Sequence, residues 1–338
     1  MSPDAADGYD LCRIRDGIYA DDLVLAAVAW LDVFGWLVEH PVDLDGLCQG
    51  LGLAPRPTDV MCTLFRAMGL LEAREDQLCP TALARDHLVV GSPSDLTPYY
   101  GSLRERPGCR ELVEVLRTGE PMSWASAEDG SDWVRQLDDV AFAHRITAAM
   151  DARGRLLAPA LAQAMAEVSG QRLLDIAGGS GIYANALLDA RPDLRATVVE
   201  RVPVDAAAHA LLADRGYTDR VTVVAGDMFA ELPHGHDLHL LSHTPHDWDE
   251  DAVRRILDVS FAALSPGGWL VDHDAHINAD TAGPLPVARY SVLLAHSTRG
   301  KCWSVSELEV FLREAGFSDV TERPAATDRS IVLARKPV

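Results

Sequence analysis

Residues 173–181 read Leu-Leu-Asp-Ile-Ala-Gly-Gly-Ser-Gly, and the helix-period run Ile-Tyr-Ala-Asn-Ala-Leu-Leu follows at residues 182–188. An apolar segment that enters an acidic residue and then three glycines predicts the first strand of a parallel sheet turning into its helix. Glycines allow the backbone to turn tightly and to approach a ligand closely, because they carry no side chain. Glu200 ends the next predicted strand about 20 residues later, the spacing at which Rossmann-like sites hold a nucleotide ribose.

The last half of the chain alternates strand and helix patterns. Further strands are predicted at 196–200, 221–229, 239–242 and 269–274, and a closing antiparallel pair at 317–321 and 329–335. This alternation predicts an α/β fold with a C-terminal Rossmann-like doubly wound sheet, whose ligands bind at the carboxyl ends of the strands. Asp175, Glu200 and Asp227 lie at the carboxyl ends of three successive predicted strands. Three acids at such ends indicate a binding site rather than packing.

The first part of the chain has a different pattern. Apolar residues at helical spacing predict helices at 21–40, 44–53 and 58–71, and residues 72–78 predict a hairpin, which is the order of a winged helix. The stretch 100–135 is rich in proline and glycine and predicts loops, and a helix is expected from about 139 to 157. The predicted domains are a mainly helical winged-helix dimerisation domain at 1–100, a helical linker and substrate-pocket segment at 101–165, and a cofactor-binding domain at 166–338.

Charge and composition exclude several classes of function. The 338 residues are 48% hydrophobic and carry a net charge of −21. Residues 1–100 hold six arginines, no lysine and 16 acidic residues, so a DNA-binding winged helix would be repelled by phosphate. No run of about 20 apolar residues predicts a membrane span, and the acidic start lacks the pattern of a secretion signal. We therefore expect a cytoplasmic protein with a small-molecule partner, no nucleic acid or membrane partner, and dimerisation through apolar helix faces.

Five ordered motifs carry a resemblance to a known family. They are Leu-Leu-Asp-Ile-Ala-Gly-Gly-Ser-Gly at 173–181, Val-Val-Glu at 198–200, Gly-Asp-Met-Phe at 226–229, His-Asp-Trp-Asp-Glu at 246–250 and Ser-Pro-Gly-Gly at 265–268. Together they resemble the S-adenosylmethionine-dependent small-molecule O-methyltransferases, which include plant caffeic-acid enzymes, the acetylserotonin type and actinobacterial antibiotic-tailoring enzymes. The resemblance covers nearly the whole chain, and it implies a homodimer joined through the winged-helix domain.

The resemblance implies S-adenosylmethionine as the cofactor, with S-adenosylhomocysteine as its product. The glycines would approach the amino-acid part, Glu200 would hold the ribose hydroxyls, and Asp227 and Met228 would flank the adenine. A carboxylate can accept two hydroxyl groups, and a thioether suits a flat base. The full predicted cofactor set is Asp175, Gly178, Gly179, Gly181, Glu200, Arg201, Gly226, Asp227, Met228, Phe229 and Ser242.

The implied reaction is the O-methylation of a phenol by a general base. His246 heads the His-Asp-Trp motif and matches the family's base, and a phenol with an ordinary pKa of about 10 needs such a base near neutral pH. Asp274, at the end of the fifth strand, falls where the family has the first of two acids beside the histidine. Cys302 aligns with the second acid, and a thiol cannot replace a carboxylate there. The predicted catalytic residues are His246 and Asp274, and no metal is predicted.

The missing acid leaves a second reaction open. A related group of enzymes methylates carbon, either in an activated aromatic ring or in an α-keto acid. In that alternative, His246, Asp247 and His296 could form a two-histidine, one-carboxylate set for a metal.

The predicted acceptor pocket is largely aromatic and apolar, which indicates a flat, aromatic acceptor. Its residues are Phe142, Met150, Asp247, Tyr290, His296 and Trp303. Two rival classes are disfavoured. A ligand-binding regulator would need a DNA-binding first domain, which is acidic here, and a nicotinamide-dependent oxidoreductase would need the Gly-x-Gly-x-x-Gly spacing, which the glycine segment lacks.

Overall fold

The computed structural model describes residues 8–122 and 133–338. Within these ranges the α-helices are α1 (Gly8–Asp16), α2 (Ala20–Ala29), α3 (Val33–Glu39), α4 (Leu44–Leu51), α5 (Pro55–Ala67), α6 (Ala82–His87), α7 (Thr97–Gly101), α8 (Pro107–Thr118), α9 (Trp133–Gln136), α10 (Val140–Ala164), α11 (Ile182–Ala190), α12 (Val204–Asp214), α13 (Glu250–Ala263), α14 (Leu285–Ser297) and α15 (Val305–Glu314). The strands are β1 (Leu71–Arg74), β2 (Gln77–Pro80), β3 (Arg172–Ile176), β4 (Arg195–Glu200), β5 (Val221–Ala225), β6 (Leu238–Ser242), β7 (Trp269–Asp274), β8 (Ser318–Ala326) and β9 (Arg329–Arg335). A short 3-10 turn spans Pro245–Asp247.

The described residues form two compact units. One contains residues 133–276 and 303–338 together with residues 8 and 9, and the other contains residues 10–122 and 277–302. We call them the sheet unit and the helical unit. The predicted domain limits at residues 100 and 165 stay predictions.

A seven-stranded sheet forms the centre of the sheet unit, in the order β5-β4-β3-β6-β7-β9-β8. Strands β5, β4, β3, β6 and β7 are parallel, and β9 runs antiparallel to both β7 and β8. The chain winds outward from β3 in both directions, so the strand order reverses there. In open α/β sheets such a switch point is where ligands bind, at the carboxyl ends of the strands. The predicted doubly wound fold with its antiparallel closing pair is confirmed.

Both faces of this sheet are covered by helices. Leu173 and Leu240 belong to the apolar core that also contains Leu161 and Leu187 of α10 and α11. Their neighbours Leu174 and Leu241 belong to the opposite core, with helices α13 and α15. Because successive strand residues point to opposite faces, a strand buried on both sides is apolar throughout. This is why the strands appear in the sequence as continuous apolar runs.

The helical unit confirms the predicted winged-helix order. Helices α3, α4 and α5 precede the antiparallel hairpin of β1 and β2, and Phe34 packs against Phe65 with ring centroids 5.2 Å apart. The predicted single helix at 21–40 is instead two helices, α2 and α3. They are separated at Asp32, whose φ of 48° is left-handed, and Gly35 lies inside α3 rather than ending a helix.

Helices α8 and α14 are among the helices that were not predicted. The stretch expected to be loops contains α8, a 12-residue helix that buries Leu112, Val115 and Leu116 on one stripe. The part of that prediction at residues 123–132 lies outside the described residues. Helix α14 also has no counterpart in the prediction; nearly all of its side chains are buried, so it shows little amphipathic period.

Lysine is rare in this chain, and both examples make specific contacts. Lys301 Nζ is buried in the helical unit and lies 2.6 Å from Asp59 Oδ2. In the sheet unit, Lys336 Nζ donates to the carbonyl oxygens of Phe261 and Leu264 at the end of α13. A cation suits that position because the last carbonyls of a helix lack intrahelical donors.

Across residues 8–122 and 133–338, none of the helices combines the length and apolar character required to cross a bilayer.

Candidate active site

The glycine segment turns between β3 and α11 through left-handed backbone conformations. The φ angles are 55° at Ala177, 55° at Gly179 and 71° at Gly181. A Cβ added at Gly178 would lie 2.5 Å from Asp175 Cγ, whereas one at Gly179 would meet nothing within 4 Å. Gly178 is therefore required by close packing on Asp175. Gly179 has a left-handed backbone angle that favours glycine, and it leaves open space beside the loop.

Glu200, at the end of β4, accepts a hydrogen bond from this loop. Its Oε2 accepts from Gly179 N at 3.0 Å, and its Oε1 accepts from Arg201 N at 2.8 Å. Burial raises the pKa of Glu200, although these two backbone donors oppose the shift. Asp175 is fully buried beneath the loop, and burial together with the charge of Glu200 raises its pKa to about 7. Neither oxygen of Asp175 has a well-formed hydrogen bond within residues 8–122 and 133–338.

The end of β5 places the next predicted cofactor residues beside this loop. Gly226 N donates to Glu200 O at 2.9 Å, and a Cβ added at Gly226 would lie 2.9 Å from Val199 Cγ1. Asp227 is exposed and its Oδ1 accepts from Phe229 N, while Met228 and Phe229 are half-buried. The apolar side chains and the exposed carboxylate therefore lie on one turn.

Arg201 has protein partners of its own. Its guanidinium donates to Val134 O at 3.1 Å and to the carboxylate of Asp138. The predicted cofactor residue thus ties the end of β4 to the segment that precedes α10.

Helix α10 packs directly against the start of α11. A Cβ added at Gly154 would lie 2.3 Å from Ile182 Cγ2, so the two backbones approach as closely as a glycine allows. One turn earlier, Asp151 Oδ2 accepts from Arg215 of α12 at 2.7 Å. The predicted acceptor residues Phe142 and Met150 lie on this same helix, where Phe142 is buried and Met150 is half-buried.

His246 lies in the 3-10 turn that follows β6, and only 4% of the residue is exposed. Its Nδ1 lies 2.6 Å from Asp274 Oδ1, which also accepts from Ala275 N at 2.7 Å. Its Nε2 lies 3.6 Å from Asp247 Oδ1. Burial lowers the pKa of His246, but the charges of Asp274 and Asp247 and the hydrogen bond with Asp274 outweigh it, so the pKa is raised above its ordinary value.

The predicted acceptor residue Trp303 supports this turn. Its Nε1 donates to Pro245 O at 3.0 Å, and its ring packs edge-on against Phe311.

The pKa values of Asp247 and Asp274 are shifted in opposite directions. Burial raises the pKa of Asp247 to about 6, whereas the neighbouring histidines hold the pKa of Asp274 well below its ordinary value in spite of burial.

A further residue, His243, was not predicted from the sequence. It is buried in the sheet unit, and its Nδ1 lies 3.3 Å from the same Asp274 oxygen. Its φ of 56° is left-handed, and neither of its ring nitrogens has a well-formed hydrogen bond within the described residues. Only its position three residues before His246 could have drawn attention to it. The neighbouring Ser242 Oγ lies 2.8 Å from His273 Nδ1.

His243, His246 and Asp274 form the one group of three potential metal ligands in the described ranges whose ligand atoms lie within 4.8 Å of one another. Burial, followed by the charges of Arg153 and Arg329, lowers the pKa of His243, while Asp274 opposes the shift. The alternative metal set of His246, Asp247 and His296 is divided between the two units.

Two predicted acceptor residues, Tyr290 and His296, lie on α14 in the helical unit, and both are buried there. His296 Nε2 lies 2.9 Å from Glu111 Oε2, and its ring stacks on Tyr19 with centroids 3.8 Å apart. Cys302 is buried in the same unit, where its backbone N donates to Ser291 Oγ. The thiol at the position of the second acid is thus buried.

Residues 109–318 match the family model of the O-methyltransferase domain. The chain belongs to the O-methyltransferase family. A 3-hydroxy-5-methyl-1-naphthoate 3-O-methyltransferase from Streptomyces sahachiroi is 31% identical over 96% of this chain and 94% of its own length. The crystal structure of an O-methyltransferase family 2 protein from Planctomyces limnophilus in complex with apigenin superposes with a TM-score of 0.86 at 31% identity, covering 98% of this chain and 96% of that one.

This O-methyltransferase uses S-adenosylmethionine. The structure of a relative described as PigF with SAH is 25% identical to it, covers 98% of this chain and 100% of that one, and has a TM-score of 0.61. The residues present fit this cofactor. Gly179 leaves open space where a Cβ would stand, the buried carboxylate of Asp175 lies under the loop, and Glu200 offers acceptor oxygens at the end of β4. These are the groups that a ribose diol and a cationic amino-acid end require.

Proposed function

We propose that this enzyme transfers a methyl group from S-adenosylmethionine to a phenolic hydroxyl of an aromatic natural-product intermediate, with His246 as the general base. The observation that carries the proposal is the buried contact of 2.6 Å between His246 Nδ1 and Asp274 Oδ1. A carboxylate on Nδ1 holds the imidazole in one tautomer and leaves Nε2 available to accept a proton.

In the proposed site, the glycine loop, Asp175 and Glu200 hold the cofactor, which supplies an electrophilic methyl group. The protein's contribution is to position the acceptor oxygen and to remove its proton. Asp274 orients His246 and stabilises the imidazolium that forms. Because Asp247 lies 3.6 Å from Nε2, its carboxylate adds to the negative potential that favours the proton there.

The acceptor class is proposed from the relatives. The Streptomyces sahachiroi relative is named for a hydroxynaphthoate, and the Planctomyces limnophilus structure contains apigenin. Both compounds carry phenolic hydroxyls on fused rings. A flat, fused-ring phenol is therefore the acceptor class that we propose for this enzyme. The carbon-methylating alternative has no comparable support, because the family model and the Streptomyces sahachiroi relative are both named for O-methylation.

The replacement of His246 by alanine tests the base. We expect turnover to fall by at least about 100-fold, the scale of general-base catalysis, while the affinity for S-adenosylhomocysteine in calorimetric titration stays unchanged. The measurement uses labelled S-adenosylmethionine with pools of hydroxynaphthoic acids, flavones and simple phenols, followed by mass spectrometry of the products.

The matched control is His209→Ala, because His209 is an exposed histidine on α12. That variant should keep full turnover. Unchanged turnover in His246→Ala would remove His246 from the mechanism, and a product methylated on carbon would contradict the proposed reaction.

We also propose that the enzyme is a homodimer joined through α1 and the residues after it. Leu11, Ile14 and Ile18 lie at helical spacing and are 68%, 74% and 64% exposed. Three large apolar side chains on one exposed stripe indicate a contact surface, and a second copy of this chain is the partner that we propose for it.

A further inference from the structure

The backbone at His243 is held in an unusual conformation. Its φ of 56° is left-handed, and its amide donates to His273 O at 2.9 Å just after β6 ends. A residue other than glycine rarely adopts such an angle, and it persists only where the surrounding structure requires it. The turn directs the imidazole into the interior of the sheet unit, where 2% of the side chain is exposed.

A carboxylate oxygen lies beside the buried ring. Its Nδ1 lies 3.3 Å from Asp274 Oδ1, the oxygen that His246 contacts at 2.6 Å. The rings of Tyr183, His246 and His273 pack around it, with centroids 5.7, 5.7 and 5.1 Å away. A polar group buried among rings loses free energy unless it is satisfied. The carboxylate of Asp274 therefore determines which ring nitrogen of His243 carries the proton.

Charged and titratable groups face His243 from every side. They are Asp274 and His273 from β7, His246 from the 3-10 turn, Arg153 from α10, Tyr183 from α11 and Arg329 from β9. Burial, together with the positive charge of Arg153, holds the pKa of His243 well below its ordinary value. The ring is therefore neutral, and a neutral imidazole donates from only one of its nitrogens. The tautomer that carries its proton on Nδ1 presents a donor to Asp274.

We propose that His243 is a positioning residue that shares the Asp274 carboxylate with His246. The inference rests on the proposed role of His246 as the base. The Nδ1–H of His243, 3.3 Å from this oxygen, is not aligned well enough for a well-formed hydrogen bond, but it still offsets part of the negative charge, so the protonated form of His246 is stabilised less. His243 would thereby keep the pKa of the base close to the working pH, where a general base is most effective. It would also hold the carboxylate against rotation away from His246.

Two substitutions separate this role from simple packing. His243→Phe keeps a flat ring and removes both nitrogens. His243→Asn places an amide nitrogen where Nδ1 stands, and asparagine tolerates the left-handed backbone better than most residues. Two quantities are measured for each variant: the pH midpoint of the acidic limb of kcat, and the pKa of His246 from nitrogen-15 spectra of its ring.

We expect His243→Phe to raise both values by on the order of one pH unit, and His243→Asn to leave both within a few tenths of a unit of the parent enzyme. The matched control is His239→Phe. His239 is another buried histidine, on β6, and its Nδ1 contacts Ser260 Oγ rather than a carboxylate. That variant should lose stability without moving either value.

The inference is overturned if His243→Phe leaves the pKa of His246 unchanged or lowers it. It is also overturned if spectra of the unmodified enzyme place the proton of His243 on Nε2, a measurement that needs no variant to fold. The spectra do not depend on turnover. A raised pKa of His246 in His243→Phe, combined with full activity of His246→Ala, would therefore contradict the proposed base and leave the sharing of Asp274 supported.

Discussion

At the scale of single residues, the site depends on how one carboxylate is partnered. Asp274 Oδ1 contacts His246, His243 and Ala275 N, and its negative charge makes the largest contribution, with that of Asp247 second, to raising the pKa of a buried histidine that burial alone would lower. Because the base must be neutral to accept a proton, kcat rises with pH through the pKa of His246. The midpoint in the unmodified enzyme should therefore lie above about 6.5, the ordinary value for histidine.

The replacement of Asp274 by asparagine reverses that shift. Without the charge, burial dominates, and we expect the acidic limb of kcat to move to lower pH. The rate on the plateau should also fall by at least about tenfold, because a weaker and less well-oriented base remains. A pH series of initial rates measures both effects. A midpoint that moves upward in Asp274→Asn would contradict the assignment of Asp274 as the group that raises the pKa of His246.

At the scale of secondary structure elements, the close contact between α10 and α11 lies directly next to the glycine loop. In an open helix, Gly→Ala stabilises by roughly 0.5–1 kcal/mol, because alanine has the higher helix propensity. At Gly154 the added Cβ would lie 2.3 Å from a β-branched side chain that cannot easily turn away. Overpacking of this kind costs about 1–3 kcal/mol and exceeds the gain.

We therefore expect Gly154→Ala to lower the melting temperature and to weaken the binding of S-adenosylhomocysteine, because Ile182 follows the loop directly. Gly101→Ala is the matched control, since Gly101 lies in α7 and an added Cβ there meets nothing within 4 Å. The double variant Gly154→Ala with Ile182→Ala should regain the affinity. A Gly154→Ala protein that is as stable as the control would contradict the tight contact.

Helices and strands with a clear hydrophobic pattern could be predicted from the sequence, and others could not. Strand β7 matches its predicted limits of 269–274, because three apolar residues directly follow the Pro-Gly-Gly turn at 266–268. Helix α14 was missed because it is buried on nearly every side and has little amphipathic period. The acids at the ends of β3 and β4 followed from the parallel topology. The proposed role of His243 could not be predicted, because it depends on a left-handed backbone angle and on packing that no local sequence pattern indicates.

At the scale of the whole molecule, the exposed stripe on α1 predicts the oligomeric state. We expect the enzyme to be a dimer in light scattering, and Ile14→Glu to shift it toward monomer because a charge would be buried in an apolar contact. Val310→Glu on α15 is the control, since Val310 is also an exposed apolar residue but lies in the sheet unit. A dimer that persists in Ile14→Glu, or a monomeric parent enzyme, would contradict the proposed surface.

The two lysines have a consequence for the chemistry that the folded protein presents to its surroundings. One ammonium group is buried against Asp59, and the other is held by the carbonyls at the end of α13. Apart from the 12 histidines, every other basic side chain is an arginine, whose guanidinium keeps its proton under nearly all conditions and is a poor nucleophile. Acylating agents and amine-directed crosslinkers therefore find no freely accessible lysine. Labelling or immobilisation of this enzyme is better directed at its many carboxylates.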